Sequence, residues 1–172
     1  LTWRCFGKSD FILKRKELVV EAAKNGLAEV LLGIESGSAK ILRIIRKGTT
    51  PEMNLEAIKL LHNLGIRVKV AMIVGLPGES RETLMETWRW LEKAEPYIDT
   101  YDFTIFTPLP GSDVYKHPGK YDIKFNKADV FTAYKGMHSP DWRPCRIETS
   151  QLSFEEIMAW RMFPTILLTK GF

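Results

Sequence analysis

Three short apolar runs along the chain each end abruptly in glycine and polar residues, and helix-like segments separate them. Val30–Ile34 runs into Glu35-Ser-Gly-Ser38, Val68–Val74 into Gly75-Leu-Pro-Gly-Glu-Ser80, and Ile98–Phe106 into Thr107-Pro-Leu-Pro-Gly-Ser112. Mostly unbroken apolar runs of this length predict strands buried on both faces, the pattern of parallel sheets. The last run alternates, with Tyr101, Phe103 and Ile105 set against Asp102 and Thr104. A further short strand is expected at Thr2–Phe6, ahead of Gly7-Lys-Ser-Asp10.

The segments between carry a helical period. Residues 14–25 place Leu18, Val19, Ala22 and Ala23 on one face and stop at Asn25-Gly26. Ala39–Arg46 spaces Ile41, Leu42, Ile44 and Ile45 nearly helically. Thr50-Pro-Glu52 supplies a hydroxyl cap, a proline at the first position and an acid at the positive helix end. The stripe Leu55, Ile58, Leu61 and Leu64 follows and ends at Gly65; Ser80 then caps a helix carrying Leu84, Trp88 and Leu91. The order through residue 112 is therefore β-α-β-α-α-β-α-β, which implies an α/β fold with parallel pairing and right-handed crossovers.

Four strands cannot close an eight-stranded barrel, so residues 1–112 are expected to form an arc of a TIM-type (β/α) barrel. Residues 113–172 form a second unit, a C-terminal extension. Within it, 113–150 reads as irregular structure packed over the arc. Ser153-Phe-Glu-Glu156 is a capping box that opens a last helix with Ile157, Trp160 and Phe163 as its apolar face, and Pro164 should kink or break it.

Composition narrows the class. The chain has 172 residues, enough for one good core, with 45% hydrophobic and 27% charged residues. A net charge of +4 is spread out, so Lys14-Arg-Lys16 reads as a solvated helix start and no nucleic-acid partner is expected. No apolar run reaches a membrane span. Two distant cysteines, Cys5 and Cys145, suit a reducing cytoplasm. His62, His117 and His138 show no metal-ligand spacing, so no metal is assigned.

Polar and glycine-rich residues gathered where parallel strands end are how α/β folds build ligand sites. Glu35 could accept hydrogen bonds from a ligand amine or ribose hydroxyl, with Ser36 beside it; it could equally cap the next helix or pair with an arginine. Gly75-Leu-Pro-Gly-Glu79 could hold an adenine or ribose, or could be a tight turn with Glu79 favouring the helix end. Pro108-Leu-Pro-Gly111 has the same two readings. Lys8 and Asp10 could bind a carboxylate and an amine but read first as exposed loop charges, and Trp88, Trp90 and Trp160 read as packing residues in preference to stacking platforms.

In order, these pieces resemble the radical S-adenosylmethionine (SAM) superfamily, and more narrowly its branch with an N-terminal cobalamin-binding domain. The resemblance rests on Trp3-x-Cys5-x-x-Lys8-x-Asp10, Leu32-Gly-Ile-Glu-Ser-Gly-Ser38, Ile45-x-Lys47-Gly48, Gly65-Ile66, Gly75-Leu-Pro-Gly-Glu-Ser80 and Phe106-x-Pro-x-Pro-Gly111. It implies that the segments are the third to sixth strands of a six-stranded partial barrel. The cluster loop C-x-x-x-C-x-x-C and the motif that grips the methionine amine would then lie upstream of Leu1, so the chain reads as part of a longer protein. By the resemblance, Glu35 and Ser36 would approach the ribose or methionyl part of SAM, Gly75, Leu76 and Pro77 would lie near the adenine, and Pro108 would wall the pocket. No residue of the chain is identified as catalytic. Lys8 stands where the family commonly has arginine, which loses the bidentate fork.

In the full enzyme the resemblance implies a four-iron, four-sulfur cluster that cleaves SAM to a 5′-deoxyadenosyl radical, for methyl transfer or cyclisation of a small-molecule substrate. Alone, the chain would be inactive. A radical SAM methylthiotransferase and a non-catalytic α/β interaction module are the competing readings. The Thr2–Phe6 edge, unpaired in such an arc, invites self-association.

Overall fold

In the computed structural model, which describes residues 1–135 and 144–168, four parallel strands pair side by side in the order in which they occur along the chain. The arc contains β1 (Trp3–Gly7), α1 (Ser9–Lys14), α2 (Lys16–Lys24), β2 (Leu27–Glu35), α3 (Ala39–Ile44), α4 (Pro51–Asn63), β3 (Arg67–Val74), α5 (Arg81–Ala94) and β4 (Thr100–Ile105). The expected α/β arc with flanking helices is therefore the observed architecture.

Alternation along the strands sorts the sheet into two faces. Val30, Leu32 and Ile34 of β2 and Val68, Val70 and Met72 of β3 are buried in one core with Ile58 and Leu61 of α4 and Leu91 of α5. The intervening residues face the other side, where ion pairs span the strands: Glu29 with Arg67 at 3.4 Å and Lys69 with Asp102 at 3.9 Å. The arc thus has an apolar, helix-covered side and a charged, partly exposed side.

Local signals set most boundaries. Thr50 accepts the Met53 N–H at 3.2 Å with Pro51 at the first helical position. Ser80 and Thr83 form a reciprocal capping box at α5, and Ser153 and Glu156 form another at 3.0 and 3.2 Å. Replacing Ser80 with alanine is expected to cost about 1 kcal/mol, read as a fall in Tm of roughly 2–4 °C.

Several expectations are corrected. The single helix over 14–25 is two helices with a break at Arg15, whose φ of −126° and ψ of 43° leave the helical region. Lys14, Arg15 and Lys16 crowd three cations at that point, and the break lets Ile12 and Val19 each face the core while Leu18 is 56% exposed. Ile44, expected on an apolar face, is also exposed. The described residues of 113–150 are more regular than expected. They form α6 (Asp113–Lys116), a 3-10 turn (Pro118–Tyr121), β5 (Lys124–Phe125), α7 (Lys127–Lys135) and β6 (Ile147–Glu148). Strands β5 and β6 pair antiparallel.

The last helix, α8 (Phe154–Leu168), runs through Pro164 instead of breaking there. A proline removes one N–H donor, and the flanking turns sustain the helix. Ile157 is fully buried, and the Phe163 side chain lies outside the described residues, as does His138. Helix α8 packs along β4, where Arg161 Nε donates to the Phe103 carbonyl at 3.0 Å. Among the described residues, strand β1, by contrast, has a strand neighbour on its β2 side only.

Candidate functional site

Because all four strands run the same way, the loops after them gather at one rim. Lys8 and Asp10, paired at 3.4 Å, follow β1; Glu35 ends β2, Pro77 follows β3 and Pro108 follows β4.

Glu35 sits on unusual backbone. Its φ is 67°, and the Ser36 N–H bonds back to the Ile34 carbonyl at 2.9 Å, closing a tight three-residue turn that is strained for a residue with a Cβ. The strand register slips at the same point, between Gly33 and Glu35. Glu35 meets the Lys47 ammonium at 2.6 Å, with both side chains about four-fifths covered, at 18% and 20% exposure. The pair folds over Gly33, where an added Cβ would stand 2.6 Å from Glu35 Oε1. Glu35 is thus neither a helix cap nor an arginine partner. Lys47, which appeared in the sequence only as a motif member, completes the site.

Ser36 turns the other way. It is fully buried, its hydroxyl lies 3.1 Å from that of Thr87 on α5, and it accepts the Ser38 N–H at 3.1 Å. Thr87 donates to the Thr83 carbonyl at 3.0 Å, so Ser36 is the donor of its pair with Thr87. The Gly37 N–H also bonds to Thr87, at 3.1 Å, and the Ser38 hydroxyl donates to Glu86. These contacts tie the loop to α5, and neither Thr87 nor Glu86 was marked by sequence.

Gly75, Leu76 and Pro77 are buried. The Gly75 N–H donates to Glu79 Oε2 at 2.6 Å, and the Glu79 N–H donates to the Leu76 carbonyl at 3.0 Å. Glu79 is 1% exposed. Burial pushes its carboxyl up to about 8, although hydrogen bonds from the Gly75 and Leu76 backbone pull the other way. Glu79 therefore fastens its own loop. Pro108 is buried just beyond Phe106, whose N–H bonds to the Val74 carbonyl at 2.8 Å.

A cleft of about 540 Å³ opens between Leu76, Pro77 and Phe106 on the rim and Asp113, Lys120 and Tyr121 of the extension. Asp113 accepts from Lys120 Nζ at 2.8 Å, from His117 Nδ1 at 3.0 Å and from the Tyr121 hydroxyl. Those donors, Lys120 foremost, hold its carboxyl far below the usual range. Sequence gave no sign of this cluster, since its members are ordinary surface residues until the 3-10 turn brings them together. Among the described residues no group of three His, Cys, Asp or Glu side chains could hold a metal.

The model of the radical SAM superfamily matches residues 8–91, a stretch holding the Lys8–Asp10 pair, the Glu35 loop, Lys47 and the Gly75 loop. Residues 8–91 belong to the radical SAM superfamily. It is 37% identical over 102 residues to an uncharacterized methyltransferase of Pyrococcus horikoshii, covering 59% of this chain and 22% of that protein. It is 32% identical over 153 residues to the anaerobic magnesium-protoporphyrin IX monomethyl ester cyclase of Rubrivivax gelatinosus, covering 88% of this chain and 26% of that one. The chain thus spans about a quarter of the length of these relatives. Two solved structures share its fold. Coproporphyrinogen III oxidase of Escherichia coli is 13% identical with a TM-score of 0.63, over 96% of this chain and 32% of that one. The cobalamin-dependent SAM radical enzyme OxsB is 24% identical with a TM-score of 0.52, over 59% and 16%.

Proposed function

We propose that this chain supplies the SAM-binding rim of a larger radical SAM enzyme, with residues 1–112 as barrel arc and 113–172 as its covering extension. The observation that carries the reading is the Glu35–Lys47 pair, held at 2.6 Å on strained backbone at the strand-end rim. SAM presents a ribose diol and a methionyl zwitterion. The Glu35 carboxylate accepts from the ribose hydroxyls or the ammonium, and Lys47 pairs with the carboxylate. Gly75, Leu76 and Pro77 offer apolar surface and backbone groups to the adenine, Pro108 closes the pocket, and Ser36 steadies the loop that aims Glu35. The donor set therefore fits SAM.

It does not fit the cluster. The chain has two cysteines; Cys145 is buried, and desolvation first, then Asp129, raises its thiol to about 11. The cluster ligands, and a cobalamin-binding domain if methyl transfer is the reaction, belong to other parts of the enzyme. Held by those parts, the cluster would supply one electron to SAM, whose C5′–S bond would break to leave methionine and a 5′-deoxyadenosyl radical. This chain alone is inactive and works in the cytoplasm, and isolated copies associate through the β1 edge. The kinship with a methyltransferase and a cyclase supports methyl transfer or cyclisation of a small molecule.

In the parent enzyme, Glu35→Gln and Lys47→Ala are each expected to weaken SAM binding about tenfold or more, a loss of about 1.4 kcal/mol or more, with circular dichroism unchanged. Calorimetric titration that finds SAM affinity intact in both variants refutes the reading.

A further inference from the structure

Helices α3 and α4 end in the same hydrogen-bonded motif but with different residues at the position that turns left-handed. At the end of α4 that residue is Gly65, with φ 73°; its N–H bonds to the His62 carbonyl at 2.9 Å and the Ile66 N–H reaches back to Leu61 at 3.1 Å. At the end of α3 it is Arg46, with φ 54°; its N–H bonds to Arg43 at 3.1 Å and the Lys47 N–H reaches back to Leu42 at 2.9 Å. Glycine is usual there because a Cβ is strained in this region. The chain keeps an arginine where glycine is the more stable choice, and such strain collects at ligand sites.

The Arg46 guanidinium has no hydrogen bond or ion pair among the described residues. Arg46 is exposed and lines the rim cleft together with Ile45, Leu76, Pro77, Phe106 and Tyr121. The other two charges of the cleft, Asp113 and Lys120, neutralise each other at 2.8 Å. One uncompensated cation against apolar and ring-bearing walls is complementary to a ligand of matching build.

We propose that Arg46 anchors the anionic oxygen group, a carboxylate or a phosphate, of an apolar ring-bearing ligand seated in this cleft. Taking that ligand as the enzyme's second substrate rests on the reading of the rim as a SAM site; the anion contact does not. Arginine suits either group through paired N–H donors.

The test titrates the full chain with 1-naphthoate, 1-naphthyl phosphate and 1-naphthalenemethanol, following amide shifts of the cleft residues. At least one anion is expected to bind about tenfold tighter than the alcohol, and which one does so separates carboxylate from phosphate. Arg46→Gly and Arg46→Gln erase the advantage and leave alcohol binding as it was. Arg46→Gly also raises Tm, so its loss of anion binding is not unfolding, and Arg43→Gln, outside the cleft, retains the advantage. Equal binding of all three probes, binding of none, or an advantage that survives Arg46→Gln overturns the proposal. Displacement of the probe by SAM overturns the second-substrate assignment. The three probe titrations contain no SAM, so failure in them leaves the test of Glu35 and Lys47 intact.

Discussion

Replacing Gly37 with alanine is expected to cost about 2–3 kcal/mol, the usual penalty for forcing atoms into a filled space, and to lower Tm by roughly 5–10 °C. The new Cβ would stand 2.7 Å from Trp90 Cβ and 2.8 Å from Thr87 Cα. Both are fixed by helix α5, and Trp90 is further pinned by its indole N–H bond to the Pro51 carbonyl at 2.8 Å. Relief therefore requires the loop to lift off the helix, which breaks the Gly37–Thr87 bond and moves Glu35 with it. Thermal melts read the loss. Gly119→Ala is the control, since nothing lies within 4 Å of its added Cβ, and it should change stability by less than about 0.5 kcal/mol. Equal melting of the two variants would show that the loop is not held against α5.

Stability is expected to fall as pH rises from about 4.5 to about 8 because of Glu79, whose carboxyl burial pushes up to about 8. The folded chain binds the proton more tightly than the unfolded chain does. The stabilising contribution is therefore complete below the unfolded value, near 4.5, and drains away as pH climbs through the folded one. Glu79→Gln removes the titration and keeps an oxygen that can accept the Gly75 N–H. Urea midpoints at pH 5, 6.5 and 8 should decline for the natural chain and stay nearly level for the variant along this limb. At pH 8 the variant should lead by roughly 1–3 kcal/mol. Parallel profiles for the two proteins would mean that Glu79 is ionised in the fold.

What the sequence disclosed is what local interactions decide. Apolar runs located β2, β3 and β4, and the caps at Thr50, Ser80 and Ser153 were readable because each hydroxyl bonds to an N–H three residues on. The rim residues Glu35, Pro77 and Pro108 followed from strand ends in the same way. What stayed hidden depends on distant partners. The direction of the Ser36 side chain is set by Thr87, 51 residues away, and the Glu35–Lys47 pair depends on the turn after α3. In the extension, β5 and β6 are two residues each and are joined by contacts such as Asp122 to the Ser150 hydroxyl at 2.6 Å. No periodic pattern can announce strands that short.

The sheet's two flanks are unlike. Among the described residues, helix α8 and the Arg161–Phe103 bond shield the β4 side, whereas β1 is paired through its β2 side. In the larger enzyme proposed above, the remaining staves of the ring would therefore join at β1, and the extension over β4 would mark its seam.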